Sequence, residues 1–386
     1  MKDFFKDIAI KLFKIRDLSF IGVADISGNI IASIFWFYIA SQLQSEHYGE
    51  IHFFIGIASL AQTISLIGNS NIITVFSAKN QRIVSTLLIL SLTVGSICSV
   101  VILFIFSRID VSFLVIGLIM IQFSSGILIG KKLYKKYLTL VLIQKSLLVI
   151  LGIALHSFFG NVGLIYAIFL SSIPYTLIIG NELREKKIII SELIQKKEFI
   201  INNYSVNISG NVTGQIDKII IAPVLGYTLL GNYALSLQFL AVAMIIPLII
   251  YKYTLSNDSS GNENKKLKIT IIFISIFISI FLAVIFPYSI PVFFSQYTEI
   301  IVPMQIMIFS LIPGTFTLMY TSKLLANEKS RSILITKIVD ASIIIIGFLI
   351  FGPIYGIIGL SIIYLTATFI EAILIVIIDK ISINNQ

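Results

Sequence analysis

Amide side chains recur every fourth residue in one otherwise apolar segment of the chain. They are Asn203, Asn207, Asn211 and Gln215, and Lys218 continues the series. The spacing predicts that they follow one face of a helix. Amides both donate and accept hydrogen bonds, so this face could bind sugar hydroxyls in a polar cavity. The alternative is hydrogen bonding between helices; we favour the cavity, because one helix pair needs fewer polar groups than this.

Charged side chains lie within or near other apolar segments, where a charge is costly unless it faces the bundle interior or a transport pathway. Lysines could meet phosphate groups, although Lys145 and Lys337 could instead extend to the nearby membrane surface. Carboxylates could bind a proton or a sodium ion. We predict a substrate cavity formed by Asp25, Asn29, Asn207, Asn211, Gln215, Asp217 and Lys218. We predict phosphate contact or ion coupling at Lys145, Lys337, Asp340 and Glu371.

Catalytic chemistry is poorly supported by the sequence. It contains no paired carboxylates, nucleophile elbow or phosphate-binding glycine loop of the kinds that carry catalysis. The three histidines, His47, His52 and His156, lie near predicted outer boundaries of apolar segments, and the lone Cys98 lies in an apolar run. A single cysteine cannot form a disulfide framework. We predict no enzymatic activity, no metal site and no cofactor.

The elements that hold these residues are predicted to be membrane-spanning helices. Hydrophobic residues make up 57% of the 386 residues and charged residues only 12%, and the mean hydropathy is +0.99, far from the balance of a soluble domain. About twelve apolar stretches are long enough to cross roughly 30 Å of hydrocarbon as helices. They cover residues 18–43, 49–73, 84–106, 111–129, 137–159, 162–180, 199–225, 233–253, 269–294, 302–325, 333–351 and 355–378.

Lysine and arginine are distributed asymmetrically between the connections. Every second connection between the apolar segments is basic, such as the one with Lys131, Lys132, Lys135 and Lys136. In the intervening connections Arg108 is the only lysine or arginine. Positively charged loops stay on the cytoplasmic side. We therefore predict a multi-pass protein of the cytoplasmic membrane with both termini in the cytoplasm. The net charge of +9 is then a topology signal, and no nucleic-acid partner is predicted.

An internal repeat relates the two halves of the chain. The run Ile-Ser-Gly-Asn at 26–29 returns 182 positions later at 208–211, and Gly49 matches Gly231 at the same offset. The polar face of the first helix, which includes Asp25 and Asn29, is thereby the counterpart of the amide face. Duplicated halves are common in membrane transporters. Six helices per half, an even number, predict copies that point the same way and are related by an axis along the membrane normal.

These patterns divide the chain into four predicted segments. Residues 1–17 combine basic and apolar side chains and predict an amphipathic helix on the cytoplasmic membrane surface. Residues 18–181 and 199–379 predict two six-helix lobes, which the charged cytoplasmic linker 182–198 joins. The predicted fold class is an all-α integral membrane protein, with about twelve transmembrane helices in two pseudo-symmetric six-helix lobes.

Four short motifs resemble one transporter family. Residues 43–49 (Leu-Gln-Ser-Glu-His-Tyr-Gly), residues 215–221 (Gln-Ile-Asp-Lys-Ile-Ile-Ile) and the glycine-spaced runs 160–164 and 356–360 are similar to motifs of the polysaccharide-biosynthesis transporters, the oligosaccharide flippases. That family belongs to the multidrug/oligosaccharidyl-lipid/polysaccharide (MOP) exporter superfamily. The motifs cover most of the chain in the family's order. The chain is nevertheless short, and it lacks the arginine-lined cavity of some lipid-diphosphate flippases.

The resemblance implies two lobes around a central cavity and transport by alternating access. The implied cargo is a polyprenyl-diphosphate-linked oligosaccharide, moved to the outer leaflet for O-antigen or capsule assembly, with membrane lipids and other polysaccharide-assembly proteins as partners. One alternative is a cation-coupled multidrug antiporter of the same superfamily, with proton or sodium sites at Asp25, Asp217, Asp340 or Glu371. A membrane glycan polymerase or glycosyltransferase is a further alternative, against which the short outer loops argue.

Thiol labelling tests the predicted orientation. In a background with Cys98 replaced by serine, we expect a cysteine introduced near Lys187 to resist a membrane-impermeant thiol reagent in intact cells, because the linker is predicted to be cytoplasmic. A cysteine near Thr228 should react with the same reagent. The opposite labelling pattern would reverse the orientation.

Overall fold

The computed structural model describes residues 2–67, 70–185, 190–198, 200–201, 203–204, 208, 214–259, 263–327 and 330–384. Their backbone is helical almost throughout, and no strand occurs among them. Two short 3₁₀ helices cover Ile173–Tyr175 and Ser295–Ile300. The α-helices are α1 (Lys2–Gln42), α2 (Ser45–Ser65), α3 (Ser70–Ala78), α4 (Ile83–Phe106), α5 (Ile109–Gly130), α6 (Tyr134–Ser171), α7 (Thr176–Glu185), α8 (Ile190–Gln195), α9 (Ile216–Leu225), α10 (Tyr227–Ala243), α11 (Ile245–Ser259), α12 (Lys265–Phe293), α13 (Ile301–Ile308), α14 (Leu311–Ala326) and α15 (Ser330–Asn384).

The number of potential spans agrees with the apolar pattern. Among the described residues, seven helical stretches are long and apolar enough to cross a membrane, or nine if two bent helix pairs each count as one span. Two of the seven, Tyr134–Arg184 with 51 residues and Ser332–Asp379 with 48 residues, are about twice as long as the roughly 20 residues that a span needs. Each contains an internal break and can supply two spans. The predicted span 199–225 lies partly outside the described residues.

Glycines form these two breaks. Gly160 in α6 has φ 59° and ψ −139°, and Gly356 in α15 has φ 56° and ψ −141°. Residues with a side chain rarely adopt such positive φ values, whereas glycine does so readily. The two breaks therefore have the same backbone conformation in the two halves of the chain.

The packing after each break is also repeated. A Cβ atom on Gly163 would lie 2.1 Å from the carbonyl oxygen of Leu155, and one on Gly359 would lie 2.6 Å from the carbonyl oxygen of Phe351. Gly163 and Gly359 are 196 positions apart in the sequence, as are the two glycines of the breaks. Both halves thus fold the chain back on itself by the same close contact of a glycine with a backbone carbonyl group.

Two spans predicted as single helices are bent. The α2–α3 pair bends by 42° and the α10–α11 pair by 47°. In the second pair the bend follows from Pro247, which lacks an N–H group and clashes with the carbonyl group four residues earlier. That carbonyl belongs to Ala243, the last residue of α10.

The N-terminal segment continues into the first span. Helix α1 runs without interruption from Lys2 to Gln42, so residues 2–17 do not form a separate helix. No proline occurs in this stretch, and Gly22 is its first glycine. Nothing in the sequence therefore removes a backbone donor near residue 17, where the surface helix was expected to end.

The chain forms two compact units. Unit 1 comprises Met1–Phe35 and Ile57–Ile208, and unit 2 comprises Trp36–Gly56 and Ser209–Gln386. Unit 2 thus includes the hairpin made by the end of α1 and the start of α2, which we call the 36–56 hairpin. Of the two lobes expected from the sequence, 18–181 and 199–379, the first contains this hairpin. The structure instead groups the hairpin with unit 2.

Each unit is built around one well-packed helix. In unit 1, α5 packs against α3, α4 and α6. A Cβ atom on Gly130 of α5 would lie 2.5 Å from the carbonyl oxygen of Thr74 in α3, which illustrates how small residues let membrane helices approach closely. In unit 2, α14 packs against α11, α12 and α15.

The glycine breaks can be tested by substitution. We expect Gly356→Ala to lower the stability of the purified protein by about 1–3 kcal/mol, because alanine is strained at this φ value. Thermal unfolding in detergent measures the change. Gly180→Ala is a matched control, since both glycines have open space around the Cβ position but only Gly356 has a positive φ. Equal stability of the two variants would contradict a conformational requirement for glycine.

Candidate functional site

A polar cavity of about 470 Å³ lies within unit 2, among α9, α10 and α15. Asp217, Lys337, Asp340 and Tyr364 contribute its polar side chains, and residues such as Leu240 contribute the apolar wall. Three of these polar residues were among the site residues predicted from the sequence. We call this space the acidic cavity.

Asp217 is held at the start of α9. The Tyr233 hydroxyl donates a hydrogen bond to Asp217 Oδ2 at 3.0 Å, and the backbone N–H of Lys218 donates to Oδ1 at 2.8 Å. Asp217 is almost fully buried. The first turn of a helix favours a negative charge, because its free N–H groups and the helix dipole point toward that end. The position therefore suits a carboxylate that is kept away from water.

The other charged residues that line the cavity, Lys337 and Asp340, lie on α15, as does Glu371, which pairs with Lys337. Lys337 Nζ lies 2.7 Å from Glu371 Oε1, and the Glu371 side chain is buried while that of Lys337 is partly exposed. Asp340 follows Lys337 by three residues and so lies on the same helix face. Asp340 is buried, and its Oδ1 atom has no hydrogen-bond partner among the described residues.

These groups carry an excess of negative charge. Asp217 and Asp340 line the cavity and Glu371 pairs with Lys337, which gives three carboxyl groups, whereas Lys337 and Lys218, which acts on Asp217, supply two ammonium groups. Burying uncompensated charge is costly, so such carboxylates either take up a proton or bind a cation. The arrangement can therefore bind and release a positive charge. Among the described residues, no group of three or more His, Cys, Asp or Glu side chains could hold a metal ion.

The amide series is interrupted before α9. Gln215 lies in a turn, with φ −128°, and the helix begins at Ile216, so the predicted line of amides from Asn203 to Gln215 and on to Lys218 does not follow one continuous helix across Gln215. Gly214, which has no side chain to restrict the backbone, lies in the same turn. The Lys218 Nζ atom nevertheless donates to Gln215 Oε1 at 3.0 Å. Asn207 and Asn211 lie outside the described residues.

Other predicted residues come together in unit 1, between α1 and α6. Asp25 accepts a hydrogen bond from the Tyr137 hydroxyl at 2.8 Å. A Cβ atom on Gly28 would lie 2.9 Å from Val141 Cγ1 and 3.7 Å from Lys145 Cγ. Asp25 and Lys145 therefore belong to one close helix interface, which the small Gly28 makes possible.

Asn29 does not join that interface, since its side chain is exposed. The tyrosines that hold the carboxylates, Tyr137 and Tyr233, were missed by the sequence analysis. Their signal in the sequence is a tyrosine within an apolar segment, because a buried tyrosine hydroxyl needs a hydrogen-bond partner. The sequence does not reveal which carboxylate that partner is.

Comparison with known proteins gives matches by structure only. No family model and no curated protein matches the sequence. The chain is similar to the inward-facing conformation of a multidrug resistance MATE family transporter of the MOP superfamily, with a TM-score of 0.70 and 17% identity over 93% of this chain and 95% of that chain. It is also similar to the lipid II flippase MurJ in an inward closed conformation, with a TM-score of 0.68 and 16% identity over 93% of this chain and 87% of that chain.

At these identities the similarity concerns the fold. The chain shares its fold with the MATE and MurJ transporters, and the residues that the structure describes are helical almost throughout and form two compact units. The fold class predicted from the sequence is thereby confirmed. These neighbours are transporters and flippases, and they fit the expectation that the chain is a multi-pass membrane protein.

The hydrogen bond between Tyr233 and Asp217 can be tested by removing the hydroxyl. We expect Tyr233→Phe to lower the stability of the purified protein by about 1–3 kcal/mol, because Asp217 loses a buried donor. Thermal unfolding in detergent measures this change. Tyr288→Phe is the control, since Tyr288 is 76% exposed and its loss should leave stability unchanged. If Tyr233→Phe matches that control, Asp217 does not depend on the tyrosine.

Proposed function

We propose that this protein is a cation-coupled flippase. It moves a polyprenyl-diphosphate-linked oligosaccharide from the cytoplasmic to the outer leaflet of the cytoplasmic membrane, for assembly of a surface polysaccharide such as O-antigen or capsule. Both chain termini lie in the cytoplasm. No bond of the cargo is made or broken, and the partners are the lipid-linked oligosaccharide, membrane lipids and other polysaccharide-assembly proteins.

The observation that carries this proposal is the excess of carboxylates in the acidic cavity. A cation or proton that enters the cavity lowers the excess of negative charge that Asp217, Asp340 and Glu371 carry over the two neighbouring lysines, and its release restores that excess. A ligand shifts a conformational equilibrium only if it binds one state more tightly than the other. Uptake from one side of the membrane and release to the other would supply that difference and drive the cycle.

The cargo is supported by the resemblance of the motifs and by polar groups outside the acidic cavity. The fold is shared with a lipid II flippase. Gln215 and Lys218 place an amide beside an ammonium group, which together suit sugar hydroxyls and phosphate. Lys145 supplies a second ammonium group, in unit 1. The lipid tail would remain in the bilayer while the polar head crosses.

A multidrug antiporter is the second candidate. The same acidic cavity would attract a cationic drug or the coupling ion, and the fold is shared with MATE multidrug transporters. The two candidates differ in the cargo that the coupling ion moves, so the experiment must present both cargoes to the same preparation.

The test uses the full-length protein in proteoliposomes that contain a fluorescent lipid-linked oligosaccharide and are also presented with a cationic dye. We expect an imposed proton or sodium gradient to accelerate its translocation, and Asp340→Asn to remove that acceleration, with a loss of about tenfold or more. A membrane-impermeant quencher measures the lipid that has reached the other leaflet. Glu299→Gln, at an exposed acid of unit 2, is the control and should behave like the original protein.

Three results would contradict the proposal. Accumulation of a cationic dye without oligosaccharide translocation would favour the antiporter. A chemically altered oligosaccharide would indicate a polymerase or glycosyltransferase. Full gradient-driven translocation by Asp340→Asn would remove the acidic cavity from the mechanism.

A further inference from the structure

Two glycines of the internal repeat contact each other's segments in unit 2. A Cβ atom on Gly49 of α2 would lie 1.9 Å from the carbonyl oxygen of Tyr227, and one on Gly231 of α10 would lie 1.8 Å from the carbonyl oxygen of Ser45. Ser45 and Tyr227 are separated by the same 182 positions as Gly49 and Gly231. Gly49 therefore packs against Tyr227, and Gly231 packs against Ser45, which is the counterpart of Tyr227 in the repeat.

Such reciprocity is the mark of a contact on a two-fold axis, where residue i meets residue j and j meets i. The next distances repeat the pattern. A Cβ atom on Gly49 would lie 2.7 Å from the backbone nitrogen of Gly231, and one on Gly231 would lie 3.0 Å from the backbone nitrogen of Gly49. The local two-fold axis that relates the two copies of this segment therefore passes through the crossing of α2 and α10. We call this contact the glycine crossing.

The glycine crossing lies near the outer ends of both helices. By the charge-based orientation, α2 and α10 begin on the outer side, and each glycine is four residues from its helix start. In transporters built from repeats, the substrate pathway lies at the interface between the repeats, and for parallel repeats the axis follows the membrane normal. A direct backbone contact on that axis leaves no room for cargo.

Side chains around the glycine crossing hold the 36–56 hairpin in unit 2. The Phe37 and Phe239 rings are 4.5 Å apart between centroids. The Tyr297 hydroxyl donates to the carbonyl oxygen of Leu43 at 3.1 Å, and the Tyr48 and Tyr297 rings meet edge to face at 6.2 Å. Aromatic and hydrogen-bonded contacts of this kind are individually modest and can separate and re-form.

We propose that the glycine crossing is the outer gate of the transporter, closed in this structure. The gate opens when the 36–56 hairpin separates from α10, and it closes when Gly49 and Gly231 meet again. Glycine is required at both positions because any side chain would collide with backbone atoms, which cannot rotate away. This inference rests on the proposed transport function for its role, although the contact itself does not.

The gate is connected to the acidic cavity through α10. Tyr233 lies two residues after Gly231 and donates to Asp217 of the cavity, so one helix carries a gate residue on one side and a residue that holds Asp217 on another. Residues two apart on a helix point in nearly opposite directions. The short rigid turn between them provides a direct route by which ion occupancy could shift the position of the gate.

The test uses a buried reporter cysteine on the same face of α10. Ala234 is 3% exposed and lies one turn after Gly231. In a Cys98→Ser background, we expect Ala234→Cys to be protected from a membrane-impermeant reagent in intact cells. Adding Gly49→Ala should speed its labelling by about tenfold or more, because overpacking destabilises the closed contact. Gly180→Ala, where no heavy atom lies within 4 Å of the added Cβ, should leave labelling slow.

Slow labelling in a folded Gly49→Ala variant would overturn the gate. Because labelling of Ala234→Cys measures access to the outer side and not movement of cargo, it distinguishes failure of the gate from failure of the proposed function. A reversible thiol cross-link covers the case in which Gly49→Ala does not fold. We expect a cross-linker that joins Phe37→Cys to Phe239→Cys to stop both reagent access to Ala234→Cys and transport, and a reductant to restore both.

A pair outside the gate controls for the cross-linker. Phe113 and Phe169 stack at 5.2 Å in unit 1, so joining Phe113→Cys to Phe169→Cys should leave transport unchanged. Continued transport with the Phe37–Phe239 link in place would show that the hairpin does not need to move, and the gate would be wrong.

Discussion

A helix surrounded by lipid must satisfy each of its polar groups within the protein, since hydrocarbon offers no water to do so. Hydroxyls in the spans follow this constraint by donating to their own helix, as Ser65 does to Ala61 and Thr315 does to Leu311. Carboxylates cannot donate in this way. Asp25 and Asp217 instead receive tyrosine hydroxyls from neighbouring helices. The carboxylates that remain in excess lie in and beside the acidic cavity, so the same constraint that stabilises the fold also marks its candidate functional site.

Close approach of backbones is the second recurring feature, and it follows the internal repeat. The glycine crossing relates residues 182 positions apart, whereas the breaks at Gly160 and Gly356 relate residues 196 positions apart. The second copy is therefore 14 residues longer between these two features. Surface loops tolerate insertions at little cost in free energy. A glycine contact against a backbone carbonyl tolerates no added atom, which explains why both contacts keep their form while the sequences between them have diverged.

Helix α10 brings these features together. It packs against the 36–56 hairpin through Gly231 and against α9 and α15 through Tyr233, whose ring meets Phe348 and Tyr364 edge to face. Its last residue precedes the bend at Pro247. A helix that contacts both the outer gate and the acidic cavity is well placed to link the two, because a rigid element transmits a small displacement along its length.

The sequence by itself determined the membrane class, the approximate spans, the duplication and the types of residue that could form a site. These are local properties: the length and polarity of a segment decide whether it can cross a bilayer. Only the tertiary structure decided that Asp217, Lys337 and Asp340 share one cavity, that Gln215 lies in a turn, and that the 36–56 hairpin belongs with unit 2. Helical periodicity shows which residues share a face but not which helix that face meets. That choice depends on packing between segments far apart in the chain, and a single sequence does not encode it in any local pattern.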